Sequence, residues 1–316
     1  MNLSLLHPSR PLALIAAEIG EGASDGGCKE GAPALRKRGL AEHLQRAGRT
    51  AQWCGRVRAA SARRPSDRLG AVERFNAELS DVVRAQVDSG MLPVVVGGDH
   101  SCAIGTWSAI AEHWRPQGDI GLVWVDAHLD AHTPASSPSG APHGMPVAAL
   151  LGHGTPGLTS LGGWAGKLQP DHLVIIGARS FEAGEQALLT ALGVRVMYMP
   201  EVARRGFAAC LAEAVAQVRR HTVAWGLSFD LDALDPVDAP GTGTPVDAGI
   251  RLADAVRALR GCATDPACAA LEVTEYNPKH DGDGHTAQAA FDLLAAMTEP
   301  GPVAHPTREA GSACFA

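Results

Sequence analysis

Four short apolar runs in this chain end directly on ionisable residues, and that coincidence limits the folds open to it more than any bulk property. Val94-Val95-Val96 leads into Gly97-Gly98-Asp99-His100-Ser101, and Leu122-Val123-Trp124-Val125 into Asp126-Ala127-His128-Leu129-Asp130. Ser228-Phe229 leads into Asp230-Leu231-Asp232, and Leu271-Glu272-Val273-Thr274 into Glu275. Apolar runs of this length, bounded by Gly and polar residues, predict buried strands. The predicted strands are Leu12–Ala17, Leu92–Val96, Ile120–Val125, Leu173–Ile176, Arg195–Tyr198, Val223–Phe229 and Ala269–Val273. Helical spacing marks Arg68–Asp88, Ala103–His113, Phe181–Leu192, Phe207–Arg219, Leu252–Arg260 and Thr286–Met297. This alternation predicts a three-layer α/β/α fold with a doubly wound, mostly parallel sheet. In such a sheet all carboxyl ends point to one edge, so the four clusters can converge there.

The chain of 316 residues is expected to form a single catalytic domain over 1–298, followed by an irregular tail at 299–316 that carries Pro300, Pro302 and Pro306. Arg63, Arg64 and Pro65 mark a solvated loop ahead of the predicted long helix. A net charge of −7 without a Lys/Arg stripe argues against a nucleic-acid partner. No apolar run approaches the roughly 18 residues that would span a membrane, and Leu12–Ala17 is closed by Glu18 too early for an export signal. The seven cysteines are scattered, with no CxxC pair, and read as the reduced thiols of a cytoplasmic protein.

The acids ask for metal. In an extended chain residues i and i+2 share a side, about 6.6 Å apart, so a strand end would aim Asp126, His128 and Asp130 together, and Asp230 with Asp232 likewise. Four carboxylates gathered in one place repel one another unless cations lie between them. Four Asp and two His suffice for two ions with bridging carboxylates. An oxygen-rich set with some imidazole and no thiolate favours Mn²⁺, with Fe²⁺, Co²⁺ and Ni²⁺ left open.

The ordered motifs GGDHS (97–101), DAHLD (126–130), SFDLDALDP (228–236) and TEYNP (274–278) resemble those of the ureohydrolase (arginase–agmatinase) superfamily, and are most similar to the arginases. The likeness extends to Gly26-Gly27-Cys28-Lys29-Glu30-Gly31-Ala32-Pro33. It implies an arginase-like fold and two Mn²⁺ per subunit, one held by His100, Asp126, Asp130 and Asp230, the other by Asp126, His128, Asp230 and Asp232. It implies that His143 moves a proton and that Glu275 pairs with a substrate guanidinium. The implied reaction is hydrolysis of L-arginine to L-ornithine and urea by a hydroxide bridging the two ions. Ser137, Ser139, His132, Glu182 and Glu185 fall where the family contacts the rest of the substrate. Ala141 and His132 replace asparagines there, and Glu182 replaces an aspartate, which brings 4-guanidinobutanoate or agmatine in as alternative substrates. A noncatalytic metal-stabilised assembly module and a mononuclear deacetylase-like zinc enzyme are the competing classes. The resemblance also implies a homo-oligomer, trimer or hexamer. Of the thirteen histidines, only His100, His128, His132 and His143 are assigned roles; the others are expected to be ordinary surface or buried residues.

Overall fold

The computed structural model describes residues 10–62 and 64–299. Of the expected tail, only Glu299 lies among them. The strands are β1 (Leu12–Glu18), β2 (Ala51–Arg58), β3 (Leu92–Val96), β4 (Ile120–Val125), β5 (Leu173–Ile176), β6 (Arg195–Met197), β7 (Ala224–Asp230) and β8 (Cys268–Thr274). They form one sheet in the order β2-β1-β3-β8-β7-β4-β5-β6, with every pairing parallel. The long helices at Arg68–Asp88, Ala103–Trp114, Ala183–Leu192, Phe207–Val218, Leu252–Leu259 and His285–Thr298 follow the predicted spans within two residues.

Why the central strands read as unbroken apolar runs is visible in how their side chains divide. Val94 and Val96 of β3 face one core with Val123 and Val125 of β4, whereas Val95, Leu122 and Trp124 face the other. A parallel sheet covered on both faces buries every position, so strict alternation of polar and apolar residues disappears.

β2 is the strand absent from the predicted set. It lies at the sheet edge, where Gln52, Arg56 and Arg58 are exposed and only Ala51 and Val57 are buried. The short helices Gly31–Lys37 and Leu40–Arg46 were also not predicted, being too short to establish a period.

The topology puts the site at the middle of the sheet. From β3 the chain passes to β4 three places away, continues outward to β6, and returns to fill the gap with β7 and β8. Register aligns Val96 with Val273, Val273 with Phe229, and Phe229 with Val125. The next residues, Gly97, Thr274, Asp230 and Asp126, therefore leave the sheet at one level. With neighbouring strands about 4.8 Å apart, all four exits fall within about 15 Å.

Packing beneath this edge is tight at Gly226 of β7, where an added Cβ would stand 2.3 Å from the Trp107 ring and 3.0 Å from the Ala270 carbonyl oxygen. Trp107 is fully buried and its indole N–H donates to Glu272 Oε2 at 3.0 Å, so the ring cannot yield freely. Overpacking of this kind costs about 1–3 kcal/mol. Gly226→Ala is expected to lower the melting temperature accordingly; an unchanged melt would show that the ring has room to move.

Candidate active site

Each strand end turns sharply as it leaves the sheet. After β3, Gly97 and Gly98 take φ of +81° and +84°. A Cβ at Gly97 would stand 2.5 Å from the Ala32 backbone nitrogen, so the turn needs glycine for both conformation and space. Asp99 is fully buried and its carboxylate accepts from Gly22 N, Ser101 N and the Ser101 hydroxyl. That turn delivers His100.

After β4 and β7 the i, i+2 pairs are not extended as expected. Asp126 Oδ1 accepts from His128 N at 2.7 Å, and Asp230 Oδ1 from Asp232 N at 2.8 Å. Both are Asx turns, in which an aspartate hydrogen-bonds the backbone two residues on. The turn keeps the paired side chains on one side while the chain bends away. Asp130 and Glu275 lie in the left-handed region at φ of +49° and +62°, a strained conformation for such residues.

The side chains converge. His100 Nδ1 stands 3.0 Å from Asp230 Oδ2, 3.2 Å from Asp126 Oδ2 and 3.4 Å from Asp130 Oδ2. His128 Nδ1 stands 3.2 Å from Asp232 Oδ2 and 3.4 Å from Asp126 Oδ1. Two ligand groups result, His100–Asp126–Asp230 and Asp126–His128–Asp232, with Asp126 common to both. Asp130 borders the first group through His100.

These residues fit a pair of divalent ions. His100 Nδ1 is buried and has no aligned hydrogen-bond partner despite three carboxylates around it. Ligand atoms about 2.1 Å from an octahedral centre lie about 3.0 Å from one another, close to the spacing found here. Charge makes the same point. Asp126, Asp130, Asp230 and Asp232 are all buried, and among the described residues none is ion-paired with lysine or arginine. Burial, reinforced by the neighbouring aspartates, pushes the Asp130 and Asp230 carboxyls well above their ordinary range. A cation between them removes both penalties.

The ligand groups are held from behind by residues that the sequence did not single out. His100 Nε2 lies 2.9 Å from Ser228 Oγ, which donates to Glu272 Oε2 at 2.7 Å. Glu272 is fully buried and also accepts from Thr106 Oγ1 at 2.6 Å and from Trp107. Trp124 stacks on the His100 ring at 4.0 Å and donates its indole N–H to Asp126 Oδ2 at 2.8 Å. Such partners fix the tautomer and orientation of a liganding imidazole, and their loss typically costs 10–100-fold in metal affinity. Ser228→Ala is expected to weaken the first metal bound by roughly tenfold; equal affinities in a metal titration would remove Ser228 from this role.

Above the ligands lies a cavity of about 260 Å³. Its lining includes His128, Asp130, His132, Ser137, Ser139, His143, Glu182, Glu185 and Glu275, which brings together nearly all the sequence-predicted residues that are not themselves deeply buried ligands. His143 Nδ1 lies 3.1 Å from Glu275 Oε1, which also accepts from His100 N at 2.9 Å. Burial disfavours a charged His143, but the hydrogen bond and charge of Glu275 outweigh it and push the imidazole above its ordinary value. Cys28, also unassigned from sequence, donates its thiol to Glu275 Oε2 at 3.0 Å. Arg179 clamps the far wall by donating to the carbonyls of Asp232 at 2.8 Å and Val246 at 2.7 Å. Thr244, on the segment held in this way, donates to Asp232 Oδ2 at 3.1 Å.

A doubly wound α/β subunit with carboxylate and imidazole groups suited to two metals at its carboxyl edge defines the class as a metal-dependent hydrolase of the ureohydrolase type. Comparison with known proteins narrows it. The Arginase family profile matches residues 10–298. The arginase of Bacillus caldovelox is 36% identical over 295 residues, covering 91% of this chain and 98% of that relative. The crystal structure of Bacillus subtilis arginase superposes with a TM-score of 0.85 at 33% identity, covering 92% of this chain and 99% of its own. Entamoeba histolytica arginase, solved in complex with L-ornithine, gives a TM-score of 0.80 at 29% identity over 91% of this chain and 98% of its own. The chain belongs to the arginase family.

Proposed function

We propose that this protein hydrolyses the guanidino group of L-arginine to L-ornithine and urea at a two-manganese centre. The observation that carries the reading is the placement of His143 and Glu275 across one cavity from two ligand groups that share Asp126. His100, Asp126, Asp130 and Asp230 are assigned to one ion, and Asp126, His128, Asp230 and Asp232 to the other. Carboxylate and imidazole donors without thiolate favour Mn²⁺ over a structural zinc. Bound there, the ion pair supplies hydroxide near neutral pH and Lewis-acid stabilisation of charge.

The chain's own groups do the rest. Glu275 is suited to orient a guanidinium, because a carboxylate accepts the paired N–H bonds of that planar cation. A carboxylate has about four acceptor positions, and three on Glu275 are taken by His143, His100 N and Cys28. A guanidinium making paired bonds to Glu275 needs one of these partners to yield, and in this reading it is His143, whose imidazole is then available to the leaving nitrogen. Addition of hydroxide at the guanidinium carbon is followed by cleavage of the bond to the chain-bearing nitrogen. That nitrogen departs as an amine only with a proton, which His143 supplies as general acid.

The same reading includes a catalytic domain over residues 1–298 with 299–316 as its tail, a homo-oligomer (trimer or hexamer), and a cytoplasmic location. No described helix is long and apolar enough to cross a membrane. After Mn²⁺ loading, urea release from L-arginine, 4-guanidinobutanoate and agmatine is the deciding assay. Turnover of L-arginine is expected, and silence on all three compounds would defeat the proposal.

A further inference from the structure

The outer end of the cavity carries an acid pair that is already engaged. His132 Nε2 lies 2.9 Å from Glu182 Oε2 and 3.3 Å from Glu185 Oε2. Its other ring nitrogen meets Ser136 Oγ at 3.2 Å, and the residue is only 6% exposed, so the ring is fixed on both sides. Glu185 is tied down as well: its Oε1 accepts from Ala131 N at 3.1 Å and its Oε2 from Glu182 N at 3.0 Å.

The serines that line the same cavity are different. Ser137 Oγ accepts from Gly140 N and Ser139 Oγ from Ala141 N, and the two hydroxyls lie 3.5 Å apart, so when one donates to the other the second keeps its hydrogen for the cavity they line. The rim therefore offers a donor for a carboxylate, whereas the acid pair that would hold an ammonium already has an imidazole seated on it.

We propose that His132 is a specificity-determining residue: by filling the Glu182–Glu185 pair it removes the binding place for a substrate ammonium, so that guanidino carboxylates lacking an α-amino group are accepted as well as L-arginine. This rests on the activity proposed above. L-arginine must displace His132 to gain its ammonium contact, and that exchange cancels most of the contact's value. A hydrogen bond to a charged group is worth about 1.5–3 kcal/mol, which is the discrimination forgone.

The test compares L-arginine with 5-guanidinopentanoate, which differs only by the amino group. The Mn²⁺-loaded wild type is expected to give kcat/KM values within about threefold of each other. His132→Asn, too short to reach Glu182, is expected to raise the kcat/KM ratio in favour of L-arginine about tenfold or more, the change appearing in KM for L-arginine. His132→Ala should move in the same direction, and thermal melts establish that both variants are folded. A wild type that favours L-arginine about a hundredfold, or variants in which the ratio stays put, would overturn the inference. Calorimetric binding of the same two compounds reads the ratio without turnover. A shifted binding ratio with no urea formed would refute the activity while sustaining the role of His132; urea formed with an unmoved ratio would refute only that role.

Discussion

Asp126→Asn is expected to abolish two-metal binding and to lower kcat/KM on L-arginine by about 10³-fold or more. The size follows from losing Lewis-acid stabilisation of several kcal/mol, at about 1.4 kcal/mol for each factor of ten. Asp126 is the right position because it belongs to both ligand groups. Asparagine keeps the carbonyl oxygen that accepts from His128 N, so the Asx turn survives. It places an amide where Trp124 Nε1 now finds a carboxylate oxygen, and it removes the charge on which both ions depend. The variant without metal also carries one anion fewer in a cluster where burial and mutual repulsion already oppose ionisation, so a collapse in activity need not reflect unfolding. Metal analysis, urea release and a thermal melt on one preparation check all three parts. A fully active variant holding two ions would contradict the ligand assignment.

The second large effect belongs to His143. His143→Ala is expected to lower kcat by about 10²–10⁴-fold, the range for a lost general acid, while metal content stays at the wild-type level. His143 contacts Glu275 and the Gly22 carbonyl but belongs to neither ligand group, so metal retention is the discriminating readout. If instead metal were lost with activity, the imidazole would be holding the site together rather than delivering a proton.

How much of this was legible in the sequence varies with the range of the interaction. β3, β4, β7 and β8 were readable because strands buried on both faces are continuously apolar, and their polar successors marked where the sheet edge lies. The ligand residues were readable because they all fall within five positions of those strand ends. Their local geometry was not: the Asx turns at Asp126 and Asp230 replace the extended pairing that spacing suggested, since either conformation puts i and i+2 on one side. β2 escaped because an edge strand exposes Gln52, Arg56 and Arg58 and so loses the apolar signature.

The supporting residues escaped for another reason. Cys28 and Glu275 are separated by 247 positions, and Glu272 is 166 from Thr106. Nothing in the local composition of either partner marks such a pair, and only the folded sheet brings them together. His132 is the intermediate case. Its proximity to Asp130 suggested the cavity, but its engagement with Glu182, 50 positions away, required the fold.

Metal titration of the stripped protein reaches the heart of the account. With Mn²⁺ added stepwise and urea release followed in parallel, saturation at two ions per chain and activity rising with occupancy are expected. Saturation at one ion or none, or undiminished urea release from the stripped protein, would contradict a two-metal hydrolase.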